Sequence, residues 1–209
     1  MRIGKRILMG AGIAVLPASL VTFGFAGPAS AAGTPFTGAA TGSVTCNAPV
    51  MTIKFSPPMT LSSGGTAITA KGVLKGCVTS GGNNLNIKTG KITGSFAGTG
   101  TGCSGLAGGS TTTETYDIVW KGTSSDGGKA TIAPTTLTIQ GASPVNNFAG
   151  DVGFALPATL AGSSASGSFA GAVTAPSSVF SNMTMTALGA KCGKQLPSLK
   201  MTSGAITLP

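Results

Sequence analysis

Residues 46–77 read CNAPVMTIKFSPPMTLSSGGTAITAKGVLKGC, two alternating segments joined by a turn-rich stretch. In the first, Met51, Ile53 and Phe55 alternate with Thr52 and Lys54, the period of two expected when one strand face packs on a core and the other meets water. In the second, Ile68, Ala70, Gly72 and Leu74 share one parity, and Thr69, Lys71 and Lys75 share the other. An antiparallel pairing that sets Phe55 opposite Ile68 also sets Ile53 opposite Ala70, Lys54 opposite Thr69 and Cys46 opposite Cys77. One register therefore satisfies an apolar face, a polar face and a disulfide. The connection over residues 56–66 carries Pro57-Pro58 and Ser62-Ser63-Gly64-Gly65, all turn chemistry, and is long for a hairpin loop. The alternative puts the two strands in different sheets with the disulfide crossing between them, as in immunoglobulin-like sandwiches.

The same grammar continues downstream. Gly81-Gly82-Asn83-Asn84 marks a turn before a strand over residues 85–96, where the apolar parity changes between Ile87 and Ile92 and predicts a bulge at Gly90. TTETYDIVWKG alternates most clearly, with Tyr116, Ile118 and Trp120 on one face. Asp126-Gly127 is a hairpin-type turn, and Pro134 interrupts the strand predicted over residues 130–140. Fainter strands are expected over residues 145–156, 166–174, 179–188 and 199–208. The fold class expected is all-β: an antiparallel β-sandwich, immunoglobulin-like or of a related Greek key, or a partly closed barrel, with about 8–10 strands.

Arg2, Lys5 and Arg6 precede an apolar run and the small-residue tract GPASAAG, the order of a secretory signal peptide, with cleavage expected after Ala31. Residues 1–31 are thus a leader, 32–42 a flexible lead, and 43–209 a single disulfide-stapled β domain. After cleavage no stable membrane span is expected, and the protein is expected to be secreted, extracellular or cell-wall associated. All four cysteines then lie in an oxidising compartment. Of three connectivities, Cys46 with Cys77 is supported by the strand register, and Cys103 with Cys192 follows from it. Zinc is disfavoured because no C-x-x-C pair and no histidine occur.

The leader, Cys46, Phe55-Ser56-Pro57-Pro58, Gly72-Val73-Leu74-Lys75-Gly76-Cys77, Cys103 and Trp120-Lys121 together resemble small secreted β-rich proteins of unknown function from high-GC Gram-positive bacteria. The resemblance implies secretion, a β-sandwich and disulfides, and it carries over no active-site residue.

The chemistry available to the exported part is narrow. Histidine is absent throughout, and both arginines, Arg2 and Arg6, lie in the leader. The acids are Glu114, Asp117, Asp126 and Asp151. Glu114 and Asp117 fall on opposite faces of one strand and make a poor acid–base pair. No G-x-S-x-G elbow occurs, Lys88-Thr89-Gly90 lacks a companion S-x-x-K, and the G-x-G-x-x-G at residues 100–105 opens no helix. No catalytic residue, metal site or cofactor is therefore expected, and the chain is expected not to be an enzyme. Tyr116 and Trp120 are either core or a sugar-stacking platform. Ten lysines against four acids give the exported part a formal net charge of +6, and Lys54 and Lys71 project from one outer face. Such a face would meet anionic polymers of a cell envelope or surface proteins. Nucleic acid is disfavoured, because arginines and stacking platforms are lacking. The expected role is that of a non-catalytic structural or interaction protein of the cell surface, with a carbohydrate- or anionic-polymer-binding module as the alternative.

Overall fold

The computed structural model describes residues 33–83, 85–104, 113–140, 143–146, 151–156, 164–173 and 177–209. The expected leader lies outside the described residues. Residues Ala32–Pro209 form one compact unit. Its strands are β1 (Phe36–Gly38), β2 (Ser43–Cys46), β3 (Val50–Met59), β4 (Ala67–Leu74), β5 (Cys77–Ser80), β6 (Asn86–Ala97), β7 (Thr113–Thr123), β8 (Ala130–Ile132) and β9 (Thr135–Gln140). They continue with β10 (Ser143–Asn146), β11 (Asp151–Leu156), β12 (Ser164–Gly167), β13 (Gly171–Ala172), β14 (Ser177–Thr184) and β15 (Leu196–Leu208); one helix, α1 (Met185–Cys192), precedes β15.

The fold is all-β. One antiparallel sheet follows the path β10-β11-β14-β15-β3-β4-β6-β7-β9-β12-β13 and curls into a half-barrel, the partly closed form of the expected class. Alternation along each strand becomes rows across the sheet. Leu199, Ile53, Ala70, Gly94, Tyr116, Leu137 and Ala165 are successive ladder partners on seven strands, and they form an inner apolar row. The neighbouring row, Lys200, Thr52, Lys71, Thr93, Asp117, Thr136 and Ser166, is polar and faces outward. Phe55, Leu74, Ile92, Ile118, Leu199 and Met201 are all buried on the inner side in one core cluster. Each such side chain contributes about 1.5–3 kcal/mol by leaving water.

The β3–β4 register is the expected one: Phe55 pairs with Ile68, Ile53 with Ala70 and Lys54 with Thr69. Cys46 does face Cys77, but on a separate ribbon in which β2 pairs with β5, so the staple joins adjacent strands instead of crossing between sheets. Strand β15 connects ribbon and sheet. Its first half pairs with β3 and its last residues with β2. On its other edge it pairs with β14, where Gly204 takes φ +114° and an added Cβ would collide with the Ser178 carbonyl.

Several boundaries differ from expectation, each for a local reason. Strand β3 runs on through Pro57 and Pro58 to Met59, which pairs with Leu196; proline lacks only the N–H, so a strand can carry it where no ladder donor is needed. The lead at residues 33–42 carries a strand of its own: β1 pairs in parallel with β8, Ala40 is buried, and Phe169 N donates to the Ala40 carbonyl. The bulge in β6 falls between Ile87 and Thr89, just before Gly90. The strand expected over 145–156 is a hairpin of β10 and β11, and that over 166–174 is the short pair β12 and β13. The strand expected to reach residue 188 stops at Thr184, whose hydroxyl accepts from Ala187 N and caps α1.

Candidate functional site

The outer face of β15, β3, β4, β6 and β7 carries the concentrated charge of the molecule. Lys54, Lys71, Lys91, Lys121 and Lys200 are all exposed there, interspersed with Thr52, Thr69, Thr93 and Ser95 and with the exposed valines Val50, Val73 and Val119 in the row of Lys91. The strand period sends each of these side chains away from the core, since their chain neighbours Ile53, Ala70, Ile92, Trp120 and Leu199 point inward. Asp117 shares this face and accepts a hydrogen bond from Thr136 Oγ1 at 2.9 Å. At one corner the face is indented. A register shift between Leu196 and Ser198 on the β15–β3 ladder opens a cavity of ≈ 400 Å³, lined by Lys54, Ser56, Thr69, Pro197 and Ser198 together with Phe55 and Ala67.

Tyr116 and Trp120 are not part of this surface. They are 6 % and 5 % exposed, so they are core side chains and offer no platform for a sugar ring. Trp120 Nε1 donates to Thr135 Oγ1 at 2.8 Å, and its ring meets Phe169 edge-on at 5.3 Å. Thr135 in turn donates to the Ser168 carbonyl. The Tyr116 hydroxyl donates to Glu114 Oε2 at 2.7 Å, and its ring packs edge-on against Phe96 at 5.6 Å. Burial, reinforced by the Glu114 charge and the hydrogen bond to it, holds the Tyr116 phenol well above its usual pKa. Glu114 is thus engaged at the inner side while Asp117 stands on the outer, the opposite-face placement expected from their spacing.

Asp126 serves a turn. Its carboxylate accepts from Ser124 Oγ at 2.5 Å, Thr34 N at 2.7 Å and Gly128 N at 3.3 Å, which lowers its pKa to about 2. The side chain of Asp151 lies outside the described residues. Among the described residues no three of His, Cys, Asp and Glu come together in a way that would hold a metal. Two disulfides, Cys46–Cys77 and Cys103–Cys192, brace the fold, and no described cysteine is free. Among the described residues no helix is long and apolar enough to cross a membrane.

The placement of Lys54 and Lys71 on one outer face follows from the β3–β4 register alone. That Lys91, Lys121 and Lys200 join them depends on β6, β7 and β15, whose pairings leave no local signature. The cavity has no signature either, because it comes from a slip between strands far apart in sequence.

These features define an all-β, disulfide-braced protein with a buried aromatic core and a lysine- and hydroxyl-bearing outer face. No protein-family model, no curated protein and no solved structure matches the chain.

Proposed function

We propose that the exported chain is a non-catalytic protein of the cell exterior or envelope that works by adhesion, with its lysine and hydroxyl outer face as the working surface. The observation that carries this reading is the segregation of side chains across the sheet: the buried apolar rows inward, and outward a field of ammonium and hydroxyl groups spanning β15 to β7, crossed by one row in which the exposed Val50, Val73 and Val119 flank Lys91. Export itself rests on the leader and on the preference of paired cysteines for oxidising compartments.

Among the ligands considered, anionic polymers are favoured over neutral glycans. Neutral sugars are usually held by exposed aromatic rings, and here Tyr116 and Trp120 are committed to the core. Exposed ammonium groups attract polyanions through a field that salt screens.

Cosedimentation of the purified mature protein with isolated cell-wall fragments tests the reading. Retention at low ionic strength, loss of retention as salt rises, and unchanged Trp120 fluorescence on binding are expected. Absence of retention at any salt concentration, or a large Trp120 shift on adding a neutral glycan, would overturn it.

A further inference from the structure

Lys54, Lys71, Lys91 and Lys121 belong to four consecutive strands of the sheet, and the ladder registers set them on one diagonal. Lys54 stands opposite Thr69, two residues from Lys71. Lys71 stands opposite Thr93, two residues from Lys91, and Lys91 stands opposite Val119, two residues from Lys121. Every step crosses one strand and shifts two residues in the same sense, which separates successive Cα atoms by roughly 7–8 Å and makes the line roughly 23 Å long. All four side chains are exposed, and among the described residues their ammonium groups have no hydrogen-bond or ion-pair partner. At its Lys54 end the line enters the cavity beside Ser56 and Ser198, while Lys200 on β15 lies off the line, opposite Thr52 and level with Lys71.

We propose that this diagonal is a track for a linear polymer carrying one phosphodiester per repeat, of the polyol phosphate kind. The proposal rests on the adhesive reading above and names its ligand. The spacing suits one negative charge per extended repeat; duplex nucleic acid is denser, with a charge about every 3.4 Å of helix axis on each strand. The head groups are ammonium ions alone, since the exported part has no arginine. A compact ammonium binds phosphate as a point charge, without the bidentate fork that a guanidinium offers to carboxylate and phosphate alike. Thr69, Thr93 and Ser95, which flank the line on the same face, are placed to bond the hydroxyls of a polyol between its phosphates. Asp117 stands to one side of Lys91, so the line itself contains no acid.

The test compares binding of a poly(glycerol phosphate) oligomer and an oligogalacturonate of equal charge number, by titration calorimetry at low salt. Wild-type protein is expected to bind the phosphate polymer more tightly. The pair K71Q/K91Q, in mid-track, is expected to weaken that binding roughly three- to tenfold, from the worth of exposed ion pairs. The pair K191Q/K194Q removes the same charge from α1 and the turn after it and is expected to leave binding unchanged. The single variants K71Q and K91Q decide the matter if the double variant fails to fold. Equal loss in both pairs, or galacturonate bound as tightly as the phosphate polymer, would overturn the track. Retention on wall fragments without affinity for the phosphate oligomer would also overturn it, while the adhesive reading would stand.

Discussion

Gly90 of β6 and Trp120 of β7 face each other in the ladder, and a Cβ on Gly90 would come within 2.7 Å of Trp120 Cζ3. The indole lies over the space that a side chain at position 90 would occupy, and Tyr116 lies over Gly94 in the same way. Two large rings fit on the inner face of a tightly curled sheet because their cross-strand partners have no side chains.

Gly90→Ala is therefore expected to destabilise the protein by about 1–3 kcal/mol, the usual cost of forcing extra volume into a packed core. Urea unfolding checks this: the midpoint should fall with little change in slope. An unchanged midpoint would mean that the indole can shift without cost.

Thr135→Val keeps the shape of a buried side chain but removes the acceptor of the Trp120 Nε1 proton and the donor to the Ser168 carbonyl. Leaving buried polar groups unpaired costs about 1–3 kcal/mol. A lowered thermal midpoint with a changed near-ultraviolet circular dichroism band from Trp120 is expected; a variant identical to wild type in both would show that the hydrogen bond contributes nothing.

The disulfides close loops with sequence separations of 31 for Cys46–Cys77 and 89 for Cys103–Cys192. Chain-entropy reasoning assigns them about 3.5 and about 4.5 kcal/mol as upper figures. The double variant Cys103→Ala/Cys192→Ala should thus lose at least as much thermal stability as Cys46→Ala/Cys77→Ala, and full reduction should lower the midpoint more than either. Melting curves of the three species settle the order.

Acid should loosen the start of the domain before its core. The Asp126 pKa is lowered to about 2 by Ser124 Oγ first, then by the amides of Thr34 and Gly128. A carboxylate with a depressed folded pKa stabilises fully above its unfolded value near 4, and the contribution is lost as pH falls through about 2. Between pH 4 and pH 2 the Thr34 amide should lose protection against hydrogen exchange, and in Asp126→Asn that pH dependence should vanish. Constant protection of Thr34 in wild-type protein over this range would refute the clip.

Much of the architecture was legible in the chain because strand alternation reports burial directly. Phe55, Ile68 and the cysteine pair required one register, and Tyr116, Ile118 and Trp120 had to share a face. What escaped was decided at a distance. Phe36 begins a strand only because β8 offers it an edge, and residues 33–42 by themselves carry too little apolar pattern to signal one. Residues 185–192 form a helix because Thr184 caps them and Cys192 is tied to Cys103, constraints that a reading of parity along the chain does not contain. The lysine face was half visible: β3 and β4 are neighbours in sequence, so Lys54 and Lys71 could be placed together, whereas their alignment with Lys91 and Lys121 emerges only once β6 and β7 are in register.

Strand β15 follows every other strand in sequence, yet it holds the middle of the sheet, between β14 and β3, and secures β2 as well. During synthesis the earlier hairpins can zip locally, but the long-range closure must wait for this last segment to arrive. Until then β3 has one vacant edge, and that edge is a hazard for association with other nascent chains. A chain built in this order stays open along that edge until β15 has emerged, and only then completes its architecture.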